Sequence, residues 1–225
     1  MAKSVASFHS TTRANTRLLK LTRAGLLRRF FIGTVGSGRK ALYTPTEKAS
    51  ALIAVEQGLK RKQDQTVIAD LFVEHELAVA EIFVTVHYMP IAQGTTSKRW
   101  RTFDKPVSAS GPIPDGYFEL ETAGATRAHF LEVDLGTETL KVWQKKIASY
   151  IQLAASEDFL KIFGQQQFRV LVVMRSERRL AHLRSVISNT TTKIFWLTTF
   201  ELVSRNGFWS AIWLRPTGDQ RHSLL

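Results

Sequence analysis

Charge is divided so unevenly along this chain that one shared core is hard to build from it. Residues 1–62 hold 13 Lys/Arg against only Glu47 and Glu56, a local net of +11, whereas the other 163 residues hold 18 Lys/Arg against 17 Asp/Glu. Ionised side chains stay at the surface unless paired, so the first segment must fold with a solvated cationic face of its own. The step predicts two domains, 1–62 and 67–225, with the polar stretch 60–66 as linker. A cationic face this dense is a footprint for a polyanion, with double-stranded DNA the expected partner.

Local patterning gives the first segment a shape. Ala14, Leu18 and Leu21 recur at helical spacing, Thr11 or Thr12 is placed to cap the helix and Gly25 to stop it. Arg13, Thr16, Arg17, Lys20 and Arg23 fall together on a neighbouring face and are the predicted DNA contacts of that helix. An apolar run at 30–32, the Gly-rich turn 33–40 and the strand-like 41–43 follow, and Thr44 or Thr46 caps a further helix with Pro45 near its first turn. Helix, strand, basic turn, strand, helix is the order of a winged helix-turn-helix, with Arg39 and Lys40 on the wing. The turn reads GTVGSGRK, but Arg39 stands where a phosphate-binding P-loop needs Lys, and the turn leads into a strand rather than a helix. A membrane-surface helix would set bulky apolar residues opposite the charge and would not need the hairpin.

The rest of the chain reads as α/β. A long helical pattern runs through Ile68, Leu71, Phe72, His75, Val79, Ile82 and Phe83, with loops at 94–97 and 105–114. Strands are predicted at 116–121 and 128–135, then a helix from about Thr139, a buried strand at 168–174, a helix at 177–188 and strands at 193–198 and 208–214. Cysteine is absent, which excludes disulfides and thiolate metal sites. No apolar run approaches the roughly 20 residues of a membrane span, and no signal-like N-terminal stretch is present, so a cytoplasmic protein is expected.

One constellation in this segment carries chemistry. Pro114-Asp115 precedes a strand, and the next strand carries Glu132-Val133-Asp134. Alternation puts Glu132 and Asp134 on one side of that strand and Leu131, Val133 and Leu135 on the other. Three carboxylates converging from adjacent strands form the oxygen-rich arrangement that suits Mg²⁺ or Mn²⁺. Such an ion activates water and neutralises charge at a scissile phosphate. On the following helix, Trp143, Ile147, Tyr150 and Ile151 form the core stripe, and Lys146 sits one turn before Tyr150, where both could reach the carboxylates. His75 is the candidate nitrogen ligand. Each residue also has an ordinary structural role open to it: a helix histidine, a turn aspartate, a surface-facing strand, a solvated lysine beside a core tyrosine.

A helix His, Pro-Asp, E-x-[DK] and [QK]-x-x-x-Y, in this order, resemble the PD-(D/E)xK (restriction-endonuclease-like) nucleases. The fuller run is Arg17-Leu18-Leu19-Lys20-Leu21 through Gly25-Leu26-Leu27-Arg28-Arg29, then Y-T-P-T, H-E-L, P-D-G-Y, L-E-V-D-L-G-T-E and K-x-x-x-Y. It is similar to the replication-relaxation family of plasmids and integrative elements, which includes relaxases that nick an origin of transfer. The resemblance implies a winged helix followed by a nuclease-like domain with a mixed sheet. It also implies catalytic roles for Asp115, Glu132, Asp134, Lys146 and Tyr150, with a metal held by His75, Asp115 and Glu132. The nuclease pattern places Lys where this chain has Asp134, so Lys146, or Lys145 behind it, would have to supply the cation. The His-hydrophobic-His motif of other relaxases is absent, and none of Tyr43, Tyr88, Tyr117 or Tyr150 carries a motif that marks it as a covalent nucleophile.

Three readings follow: a metal-dependent DNA nickase, a non-catalytic DNA-binding replication initiator or regulator, and a nuclease-like subunit of a transfer or transposition assembly. Other proteins of such a complex, or a second copy of the chain in a homodimer, are the protein partners these readings imply.

Overall fold

The computed structural model describes residues 10–33, 39–53, 70–92 and 94–225. The chain divides into two compact units, Ala2–Glu74 and His75–Leu225. The division falls inside a helix rather than in the expected linker, and residues 60–66 lie outside the described part, as do the first nine residues and the turn residues 34–38.

In the first unit, α1 (Thr11–Arg23) is capped one residue before Thr11, the earlier of the two expected caps. Ser10 takes the N-cap, and its hydroxyl accepts a hydrogen bond from the Arg13 N–H at 3.2 Å. Gly25 ends the helix at φ +70°, a left-handed turn that costs glycine nothing. Strands β1 (Leu27–Gly33) and β2 (Arg39–Pro45) pair antiparallel from Leu27↔Pro45 to Gly33↔Arg39. Pro45 therefore closes β2 instead of opening the next helix. Thr46 caps that helix, α2 (Glu47–Ile53): its hydroxyl accepts from the Ala49 N–H at 3.3 Å and donates to the Gly25 carbonyl at 2.8 Å. One threonine thus joins the end of α1 to the start of α2.

The second unit is a seven-stranded mixed sheet between two helical layers. Helix α3 (Asp70–Tyr88) leads into β3 (Thr96–Arg101), and the sheet runs β3-β4-β5-β6-β7-β8-β9 in sequence order. Strands β4 (Gly116–Thr122), β5 (Ala125–Asp134), β6 (Phe168–Met174) and β7 (Phe195–Thr199) form its centre, with the short β8 (Trp213–Leu214) and β9 (Arg221–His222) at one edge. Strands β3, β4 and β5 pair antiparallel, β5, β6 and β7 parallel, and the last two strands antiparallel again. Parallel pairs need crossovers, supplied by α4 (Leu140–Ala155) with α5 (Asp158–Phe163), and by α6 (Glu177–Ser188). A last helix, α7 (Phe200–Asn206), follows β7.

Strand alternation sorts the core. Phe130, Val170, Val172 and Leu197 pack with Trp143, Ile147 and Tyr150 of α4 and Leu183 and Ile187 of α6. Leu131, Val133, Leu171 and Val173 pack on the other face with Ile82 and Val86 of α3 and with Phe208 and Trp213. Each such side chain removed from water contributes about 1.5–3 kcal/mol.

Two further expectations are corrected. Strand β3 occupies residues read in part as a loop: Arg99 takes φ +58° and the register with β4 shifts between Lys98 and Arg101, a bulge that erases the alternation. The strand expected at 208–214 shrinks to β8, because Phe208, Trp209 and Ile212 are core residues outside any strand. Helices α5 and α7 escape the sequence pattern, being only 6 and 7 residues long. Among the described residues no helix is long and apolar enough to cross a membrane.

Candidate active site

Strand β5 delivers two carboxylates to its carboxyl end, where open α/β sheets present their ligand sites. Glu132 and Asp134 are on the α4 side of the sheet and are 0% and 1% exposed, so neither is the surface-facing strand residue that alternation alone allows. Their partners differ completely.

Glu132 is gripped at both oxygens by α4. Lys146 donates to Oε2 at 2.8 Å and the Tyr150 hydroxyl donates to Oε1 at 2.6 Å. Thr139 caps α4 by accepting from the Val142 N–H at 3.3 Å, which sets the helix start. Residues 146 and 150 then lie one turn apart on the face towards β5. Burial is the largest influence on Glu132 and pushes its carboxyl up to about 7, with the charge of Asp115 adding to the rise and Lys146 opposing it. Burial pulls Lys146 down, but Glu132 and Glu138 outweigh it and hold the ammonium above its ordinary range. Lys146 also lies 2.9 Å from Glu138 Oε1, so it bridges two carboxylates.

Asp115, just before β4, is brought beside β5 by the Gly116↔Leu131 register. Its Oδ2 accepts from the Val133 N–H at 2.7 Å. His75 of α3 reaches the same place, with Nε2 3.3 Å from Asp115 Oδ2 and 3.1 Å from the Val133 carbonyl. Both neighbours are acceptors, so Nε2 carries the proton and donates. The hydrogen bond to Asp115 is the largest influence on this histidine and raises it, against the opposing pull of burial.

Asp134, on the same face of the sheet, is taken up by other partners. Arg179 of α6 brings Nε and a terminal nitrogen each to 2.8 Å from Oδ2, and the Gly136 N–H donates to Oδ1 at 2.6 Å. A rim position, or a role orienting Lys146, is therefore not what the structure shows for Asp134. Sequence reasoning missed two members of the arrangement. Glu138 stood in the quoted L-E-V-D-L-G-T-E run, whereas Arg179, 45 residues beyond its partner, had no local signal. Among the described residues no three His, Asp or Glu side chains close into a ready-made metal cage.

In the first unit Arg13, Thr16, Arg17, Lys20 and Arg23 are all exposed, and α1 buries none of its residues. Lys40 is exposed on β2, while Arg39 is described through its backbone alone. Arg28 and Arg29, not among the expected contacts, add two exposed cations on β1 and lie 5.2 and 4.8 Å from the ring centres of Phe30 and Phe31.

Fold and site define a two-unit α/β protein with a cationic helix–hairpin unit and a carboxylate–lysine–tyrosine cluster at the carboxyl end of its parallel strands. The chain belongs to the replication-relaxation family, whose model matches residues 3–165, more than half of its length. That family points to a role in the replication or mobilisation of mobile elements and implies interaction with DNA. No curated protein matches the chain.

Proposed function

We propose that this protein is a metal-dependent DNA-nicking enzyme of a mobile element, with a winged-helix unit that grips duplex DNA and a PD-(D/E)xK-like unit that cuts it. The observation that carries the reading is the closure of Lys146 and Tyr150, one helical turn apart, on the two oxygens of Glu132 beside Asp115. A buried carboxylate raised by a second one nearby is costly unless a cation joins them. The donor set fits Mg²⁺ or Mn²⁺, which bind through one or two carboxylates with water and substrate phosphate completing the shell. Each carboxylate oxygen of Glu132 keeps a lone pair beyond its present hydrogen bond.

Asp115 and Glu132 would hold the ion, whose chemistry when bound is to activate water and offset phosphate charge. Lys146, partly open to solvent, is the cation available to a scissile phosphate. Tyr150 is a positioning residue that fixes Glu132. His75 serves through Nδ1 or, by its present bond, as the group that orients Asp115. The winged helix supplies affinity through phosphate contacts from Arg13, Thr16, Arg17, Lys20, Arg23, Arg39 and Lys40.

The second reading, a DNA-binding initiator or regulator without chemistry, is favoured by one feature: Asp134, where a nuclease has Lys, is sealed by Arg179 and cannot reach substrate. Nicking of supercoiled plasmid in Mg²⁺, Mn²⁺ or EDTA separates the two. The enzyme reading expects metal-dependent open circles that Glu132→Gln abolishes with duplex binding retained. No nicking with either ion leaves the binder.

A further inference from the structure

At the opposite end of the parallel strands from Glu132, the amino ends of β6 and β7 border a cavity of about 360 Å³ lined by Gln166, Gln167, Arg169, Lys193, Trp196 and Arg215, among others. Arg169 and Arg215 lie 4.4 and 5.1 Å from the ring centre of Trp196. Arg127, on β5 next to β6, donates to the same carbonyl as Arg169. Among the described residues the three guanidiniums donate to main-chain carbonyls, Arg127 and Arg169 at Leu224 (3.2 and 3.5 Å) and Arg215 at Thr192 and Lys193 (3.1 and 2.9 Å), and Arg215 Nε is buried without a partner. None has a carboxylate partner among the described residues, although five other arginines of this unit do.

The cost of that arrangement is visible at Arg169. Burial, and then the charges of Arg127 and Arg215, push its guanidinium below the ordinary range. Clustered like charges destabilise a fold by mutual repulsion, and a concave surface between them focuses their field on an incoming anion. Guanidinium groups stacked on an indole keep their in-plane N–H donors free for oxygens, and the planar fork matches phosphate. Lys193 and the two exposed glutamine side chains add further donors to the lining.

We propose that this cavity is a second nucleic-acid contact, in which Arg169, Lys193 and Arg215 take the phosphodiester backbone of a strand at the end of the sheet away from the carboxylates. Trp196 is only 7% exposed, so it supports the guanidiniums and does not stack on bases. The contact is blind to sequence and depends strongly on salt. It stands whether or not the protein cuts.

The test uses the full chain in EDTA, so that cleavage and metal play no part. Binding of a fluorescein-labelled 30-nucleotide DNA, single-stranded and duplex, is followed by anisotropy across a salt series. Lys193→Glu, an exposed change, should weaken binding several-fold and reduce the slope of log K against log salt. The reduction should be about 0.7 on single strands, or about 0.9 on duplex, for each phosphate that is no longer neutralised. Arg169→Gln should do the same and Arg169→Lys should restore the slope, with circular dichroism melts confirming that each variant is folded. A slope unchanged in both Lys193→Glu and a folded Arg169→Gln overturns the proposal. Free adenosine monophosphate and inorganic phosphate form the other arm. Saturable binding of either at millimolar concentration, abolished in Lys193→Glu while the DNA slope stays intact, would make this a small-anion site and overturn the strand-binding role.

Discussion

Arg179 places two of its nitrogens 2.8 Å from a single oxygen of Asp134, while one of them also donates to the Glu138 carbonyl at 2.7 Å. The side chain of Asp134 is wholly buried and that of Arg179 is 16% exposed. Breaking a buried pair from one side strands a charge, at a cost of about 3–5 kcal/mol. Asp134→Ala should therefore lower the urea midpoint sharply, whereas Asp134→Leu combined with Arg179→Met should recover part of the loss. If the single variant unfolds at the wild-type midpoint, the pair contributes nothing to stability.

Stability should depend on pH through His129, which is fully buried and stacked at 5.0 Å on Phe118. Neither ring nitrogen has a well-formed hydrogen bond. Burial, reinforced by the charge of Arg169, holds the ring down to about 3, against 6.5 in an unfolded chain. Between those values only the unfolded chain takes up the proton, so stability rises with pH across this window and levels off above it. His129→Phe should flatten that rise. Urea midpoints measured from about pH 4 to about pH 8 check it, and an undiminished slope in the variant counts against the assignment.

Duplex affinity should be carried by α1. Arg13→Ala with Lys20→Ala removes two exposed cations. The pair should lower the salt slope of duplex binding by up to about 2, uniformly across DNA sequences. A loss confined to one sequence would mean base readout rather than phosphate contact.

Tyr150→Phe removes the hydroxyl that holds Glu132 Oε1 at 2.6 Å without changing the ring packing. The unsatisfied carboxylate oxygen should cost about 1–3 kcal/mol of stability. If Tyr150 positions Glu132 for nicking, kcat should fall with KM nearly unchanged. A rise in KM alone would place Tyr150 on the substrate instead.

Legibility in the sequence follows distance along the chain. Strand β6 and helix α6 can be bounded from local pattern, because an apolar run interrupted only by Arg169 and a Ser176 cap state their own limits. The convergence of Lys146 and Tyr150 on Glu132 is foreseeable from strand period and helix turn. The setting of Asp134 is not, because it depends on a residue of another helix that only the tertiary fold brings near. Strand β3 is hidden for a local reason: a left-handed Arg99 breaks the alternation that would announce it.

Thr46 has a consequence for how such chains can diverge. By linking the Gly25 carbonyl to the start of α2, it closes the root of the hairpin independently of whatever joins β1 to β2. The stretch between Gly33 and Arg39 is then free to lengthen, shorten or change charge without loosening the anchorage of either helix.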